Sequence, residues 1–196
     1  MFIELPTEQN SSVAVLVSGG TDSALLLYKM LEHQVMSLPS MKISVFTIPR
    51  SDEGIFYVRK IVDWLNENFG GKLPQPVVLG DGTVHHSIVI KSAIRILLED
   101  ETIDLIYSGA NLVPEVNLGD HAPVRANFLR KGKICVPFSY TLKTDILMEY
   151  YRLGIEDLLK QTHSCSEKIH GKCGKCFNCR ERSWAFETIG KVDPTC

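Results

Sequence analysis

Val13-Ala14-Val15-Leu16-Val17-Ser18-Gly19-Gly20-Thr21-Asp22-Ser23 is the stretch whose reading decides the fold. Five apolar residues in a row, β-branched at Val13, Val15 and Val17, read as a strand buried on both faces. The run stops at Ser18-Gly19-Gly20, and polar Thr21, Asp22 and Ser23 open an apolar helical segment from Ala24 to Leu31. Glycine lets the backbone take positive φ and approach a ligand without a Cβ clash. The helix start beyond it offers unpaired N–H groups and a partial positive charge, which together make an anion site. The Ser18 and Ser23 hydroxyls add donors, and Asp22 either orients a magnesium ion or caps the helix. Val17 through Ser23 are therefore the candidate phosphate-binding residues, with a tight capped turn as the plain alternative. A Walker loop is excluded, because there is no G-K-[ST] at the required spacing.

Outward from this junction, strands and helices alternate. Lys42–Ile48 reads as a second strand, and 52–69 as a helix with apolar Ile55, Val58, Val62 and Leu65 on one face, ended by Gly70-Gly71. Pro76–Gly80 is a short third strand, His86–Leu98 a third helix, Asp104–Tyr107 a fourth strand and Lys133–Phe138 a fifth. The expectation is an α/β fold, a parallel five-stranded sheet with helices on both faces. Ligands of such sheets bind at the carboxyl ends of the strands. That gathers Ser18–Ser23, Thr47–Arg50, Gly80–Thr83 and Ser108–Asn111 around one crevice. Lys143–Leu159 is helical with an interruption at Gly154, and a last helix runs from about Arg180 to Ile189. Two units are expected, a nucleotide-binding domain over 1–142 and a helical, cysteine-bearing segment over 143–196.

The 196 residues are 44% hydrophobic and 22% charged, a globular composition that excludes disorder, collagen and coiled coil. A net charge of −2 leaves no basic excess, so a large nucleic-acid partner is not expected. No apolar run approaches the ~18 residues of a membrane helix, and Met1–Pro6 lacks the zones of a secretion signal. A cytoplasmic protein is expected. Cys165, Cys173, Cys176 and Cys179 crowd together with the spacing C-x7-C-x2-C-x2-C, which in a reducing compartment points to a metal. Four thiolates around one Zn2+ make a closed, structural site. An iron–sulfur cluster is the rival, but the ferredoxin run continues x3-C-P, whereas Arg180-Glu181-Arg182-Ser183 follow here. Lys168, Lys172, Lys175, Arg180 and Arg182 are placed to soften the thiolate charge. Cys135 reads as core, Cys196 as a free thiol, and His85-His86 as loop residues.

Ser18–Ser23 resemble the S-G-G-x-D-S signature of the PP-loop ATP pyrophosphatases. The tail Gly171-Lys172-Cys173-Gly174-Lys175-Cys176-Phe177-Asn178-Cys179-Arg180, with Ala185-Phe186-Glu187 and Asp193-Pro194-Thr195, resembles the end of the 7-cyano-7-deazaguanine synthase family. Lys143-Thr144-Asp145-Ile146, Thr162-His163-Ser164-Cys165 and Gly109-Ala110-Asn111 are similar to further segments of that family. Two stretches depart from it. Ile48-Pro49-Arg50-Ser51-Asp52 stands where a Y-G-Q-x-H segment is usual, and Leu112–Arg125 where a D-x-x-x-Y-P-D-like run is usual.

The resemblance implies a Rossmann-like fold of the adenine nucleotide alpha hydrolase kind, ATP and Mg2+ at the loop, small-molecule substrates and a homodimer. It implies a ligase that adenylates 7-carboxy-7-deazaguanine and uses ammonia to form 7-cyano-7-deazaguanine. Divergent deazaguanine-modifying or tRNA-thiolating PP-loop chemistry is the alternative. Asp22, Ser23 and Lys143 are the catalytic candidates. Lys143 either contacts phosphate or adenylate, or is a solvated lysine at a helix start. Asn111, Asp120, His121 and Arg125 are the substrate candidates, with an ordinary polar loop as the competing account of the last three.

Overall fold

The computed structural model describes residues 3–49, 53–83, 86–119 and 122–195. Strand β1 (Ser12–Leu16) pairs in parallel with β2 (Lys42–Thr47) on one side and with β4 (Leu105–Ser108) on the other. Strand β3 (Val77–Val78) flanks β2. On the far side β6 (Ile134–Cys135) flanks β4, and β5 (Arg130–Lys131) closes the edge, giving the order β3-β2-β1-β4-β6-β5. The expected five parallel strands are thus corrected to six, because β5 and β6 form a small antiparallel hairpin. The segment Arg130-Lys131-Gly132-Lys133 carries no apolar alternation, so nothing in it announces a strand. The hairpin also shortens the expected 133–138 strand to two residues.

Alternation along β1 explains the layers. Val13 and Val15 face one side, Ala14 and Leu16 the other, as a period of two requires. The first side packs on α1 (Thr21–Met36), α2 (Gly54–Phe69), α4 (Lys143–Leu153), α5 (Glu156–Leu159) and α6 (Phe177–Thr188). The second side, with Ile103 and Ile106, packs on Leu97 of α3 (His86–Glu99). Leu25, Leu26, Leu27, Met30 and Leu31 of α1 are fully buried. Burial of five such side chains contributes on the order of 10 kcal/mol before conformational entropy is deducted. The helix continues beyond Leu31 to Met36, with tertiary partners holding His33 and Gln34. His33 Nε2 bonds the Pro6 carbonyl at 2.7 Å, and the Gln34 amide donates to the Met41 carbonyl at 2.5 Å.

Residues 143–196 contribute Ile146, Leu147, Tyr150, Leu158, Leu159, Ala185 and Phe186 to the same core as β1 and α1. Helix α6 begins at Phe177 with Cys176 as its N-cap, three residues ahead of the sequence expectation. The chain passes from β1 outward through β2 to β3, then crosses to β4 on the other side of β1. That reversal opens a crevice at the carboxyl ends of β1 and β4.

Candidate functional site

A cavity of about 300 Å³ occupies this crevice. Ser18, Gly20, Asp22 and Ser23 line it from the loop after β1, Thr47 and Ile48 from the end of β2, and Ser108–Asn111 from the end of β4. Gly80–Thr83 are not among the lining residues, and Arg50 lies outside the described ones. Gly19 has φ +85°, whereas Gly20 is extended and serves as the N-cap of α1, so only the first glycine uses the left-handed region. The loop is braced from within. Ser23 Oγ accepts from the Ser18 N–H at 3.1 Å and donates to the Gly20 carbonyl at 3.1 Å. Buried Ser23 therefore shapes the loop, while exposed Ser18 is open to a ligand. Gly109, at the end of β4, lies so close to α1 that a Cβ there would sit 2.8 Å from the Ser23 backbone nitrogen.

Lys143, the first residue of α4, is 4% exposed, which removes the solvated-lysine reading. Its Nζ lies 2.5 Å from Asp22 Oδ2, 3.3 Å from Thr21 Oγ1 and 3.5 Å from Glu181 Oε2. Arg125 Nη1 and Nη2 donate to the two Glu181 carboxylate oxygens at 2.7 and 3.0 Å. Arg125 Nη1 also donates to Asn111 Oδ1 at 2.7 Å, and the Asn111 amide donates to Glu181 Oε1 at 3.1 Å. Loop, sheet end and C-terminal helix are thereby joined by one network of buried and half-buried polar groups. Asp120 and His121 lie outside the described residues. Glu181 is the residue of this network that the sequence reading did not single out. Between Arg180 and Arg182 it looks like part of a solvated face, yet it is 1% exposed.

The four cysteines converge. Cys165, Cys173, Cys176 and Cys179 Sγ atoms all lie within 4.8 Å of one another. A tetrahedral ion with S ligands at about 2.3 Å sets sulfurs about 3.8 Å apart, so one ion fits after a small contraction. A cuboidal cluster carries each thiolate on a different iron and needs wider spacing. Backbone N–H groups of Cys176 and Lys175 point at Cys173 Sγ (3.2 and 3.4 Å) and lower its thiol to about 6. Two of the basic residues expected to soften this centre are engaged elsewhere. Arg182 forks onto Asp193 at 2.8 and 2.9 Å, and Arg180 Nη1 donates to the Leu118 carbonyl. Cys135 is buried in the core, as expected; Cys196 and His85 lie outside the described residues.

Between the two centres runs His163. Its N–H donates to the Gly19 carbonyl at 2.8 Å, and its ring stacks on Tyr57 with centroids 4.4 Å apart. Two residues later the chain reaches Cys165.

Comparison with known proteins adds a family resemblance. The family model described as queuosine biosynthesis protein QueC matches residues 115–190, a stretch holding Arg125, Lys143, the four cysteines and Glu181. A 7-cyano-7-deazaguanine synthase of Persephonella marina is 24% identical over 225 residues, covering 95% of this chain and 97% of its own. The chain is related to the QueC family. Another synthase of that name, from Pseudoalteromonas translucida, is 27% identical over 93% of this chain and 96% of its own. One from Methanococcus vannielii is 34% identical over 46% of the chain and 45% of its own. The expectation of an ATP-dependent ligase-type enzyme agrees with these QueC relatives. The solved structure of the U34-tRNA thiolase NcsA from Methanococcus maripaludis with its [4Fe-4S] cluster shares the fold. It has TM-score 0.52 and 17% identity, covering 92% of this chain and 67% of its own. Among the described residues no helix is long and apolar enough to cross a membrane.

Proposed function

We propose that this chain activates a carboxylate with ATP for carbon–nitrogen bond formation. Its substrate is read as 7-carboxy-7-deazaguanine and its product as 7-cyano-7-deazaguanine. The observation that carries the reading is the convergence of Ser18–Ser23, Lys143 and Asn111 on one crevice at the strand ends. In this reading the backbone N–H groups around Gly20 and the Ser18 hydroxyl hold the terminal phosphates. Lys143 lies across from them and meets charge developing on the phosphate chain. Magnesium, bound through Asp22, would neutralise the departing pyrophosphate. A substrate carboxylate oxygen attacks the α-phosphorus and pyrophosphate leaves, giving the acyl adenylate. Ammonia then attacks the acyl carbon, loses a proton and displaces AMP to give the amide. The amide oxygen then attacks the α-phosphorus of a second ATP, with loss of pyrophosphate and one N–H proton, and elimination of AMP with the remaining N–H proton gives the nitrile.

Zinc is proposed for the four thiolates, because their close spacing suits one tetrahedral ion. The ion would tie residues 165–179 together and take no part in the chemistry. Small molecules are the proposed partners, in a homodimer. Incubation with ATP, magnesium, ammonium and 7-carboxy-7-deazaguanine tests the reading. Mass spectrometry is expected to find the nitrile, and nucleotide analysis AMP. AMP formed only with another carboxylate would overturn the substrate assignment, and no AMP with any carboxylate would overturn the adenylation reading.

A further inference from the structure

Glu181 is a charged side chain with almost no exposure, and a carboxylate is buried only where partners compensate it. Both of its oxygens are committed. Oε1 receives Arg125 Nη1 at 2.7 Å and the Asn111 amide at 3.1 Å. Oε2 receives Arg125 Nη2 at 3.0 Å and faces Lys143 Nζ at 3.5 Å. Burial by itself would raise the Glu181 carboxyl, yet Lys143, Arg125 and Asn111 together hold it below the usual carboxylate range.

Lys143 therefore stands between two carboxylates of different character. The Asp22 side chain is 17% exposed and lines the cavity, whereas that of Glu181 is 1% exposed and lies behind the wall. A magnesium–nucleotide arriving at the loop competes with Lys143 for Asp22, and it cannot reach Glu181. The guanidinium of Arg125, which lines the cavity, is likewise held by Glu181 and Asn111.

We propose that Glu181 is a positioning residue: it holds Lys143 at the cavity wall when Asp22 turns to the incoming nucleotide, and Arg125 and Asn111 hold Glu181 in turn. This inference rests on the nucleotide reading above and deepens it. It moves the determinant of lysine placement from the loop to the C-terminal helix.

A double-mutant cycle tests it. Glu181→Gln keeps the size of the side chain and removes its charge. In the wild-type background it is expected to weaken binding of a non-hydrolysable ATP analogue with magnesium about five- to tenfold by calorimetry. The rate of AMP formation is expected to fall about 10- to 100-fold. In a Lys143→Ala background both effects shrink below about twofold, because the residue that Glu181 positions is gone. Equal losses in the two backgrounds would mean that Glu181 supports the fold only, and would overturn the inference. If Glu181→Gln does not fold, Arg125→Gln/Glu181→Gln, which removes one charge of each sign, runs through the same cycle with the same reading. If the wild-type protein yields no AMP with any carboxylate, the adenylation reading fails. The calorimetric cycle still decides the role of Glu181.

Discussion

Alanine at position 109 would drive a methyl group into the start of α1. Its Cβ would stand 2.8 Å from the Ser23 nitrogen and 2.9 Å from the Asp22 carbonyl carbon and the Ser23 Cα. These are backbone atoms, so no side-chain rotation relieves the clash. Carbon contacts normally begin near 3.5 Å, so β4 and the first turn of α1 must part by about 0.7 Å. Overpacking of this kind costs about 1–3 kcal/mol, which in a chain of this size lowers the melting temperature by roughly 2–10 °C. The shift falls on Asp22 and Ser23, the last two residues of the phosphate loop. Displacements approaching 1 Å at a reacting site cost up to about 100-fold in rate. Gly109→Ala is therefore expected to unfold at lower urea concentration and to form AMP at least about tenfold more slowly. A variant with wild-type urea midpoint and wild-type AMP rate would refute the claim that contact between β4 and α1 sets the loop.

Cys176→Ser is expected to lose its metal by elemental analysis and to melt lower, since a structural zinc site contributes on the order of 10 kcal/mol of apparent folding free energy. Unchanged zinc content and melting temperature would remove the structural role. Asp22→Ala is expected to abolish AMP formation while unfolding stays cooperative, because buried Lys143 keeps Glu181 as a partner; retained turnover would take Asp22 out of the mechanism. Glu149 gives a pH test. Hydrogen bonds from Arg152 and Lys29 outweigh burial and lower its carboxyl to about 2. A depressed carboxyl stabilises the fold fully above its unfolded value near 4.5 and loses that contribution as pH falls toward 2. The stability gap between wild type and Glu149→Gln in urea should hold steady from about pH 7 to 5 and narrow below 4.5. A gap that widens on acidification contradicts the assignment.

What the sequence made legible was local chemistry. The β1–loop–α1 junction is readable because an apolar run, two glycines and a polar helix start are contiguous. The cysteine cluster is readable because three of its four ligands fall within seven residues. Glu181 was not legible, since its partners Arg125 and Asn111 lie 56 and 70 positions away and only the folded chain brings them together. The ion pair of Arg182 with Asp193, 11 positions on, was equally hidden in the sequence. The β5–β6 hairpin escaped notice because its strands are two residues long and pair by backbone bonds alone. Lys143 could be read either way from sequence, and burial decided between a solvated and an engaged lysine.

The bond from the His163 N–H to the Gly19 carbonyl makes the loop at the front of the chain a neighbour of the thiolates near its end. The two candidate sites are thereby tied by a backbone contact, and thermodynamic reciprocity makes any coupling between their ligands equal in both directions. A chelator that strips metal from the thiolates would, through any such coupling, change nucleotide affinity by the same factor by which nucleotide changes metal affinity.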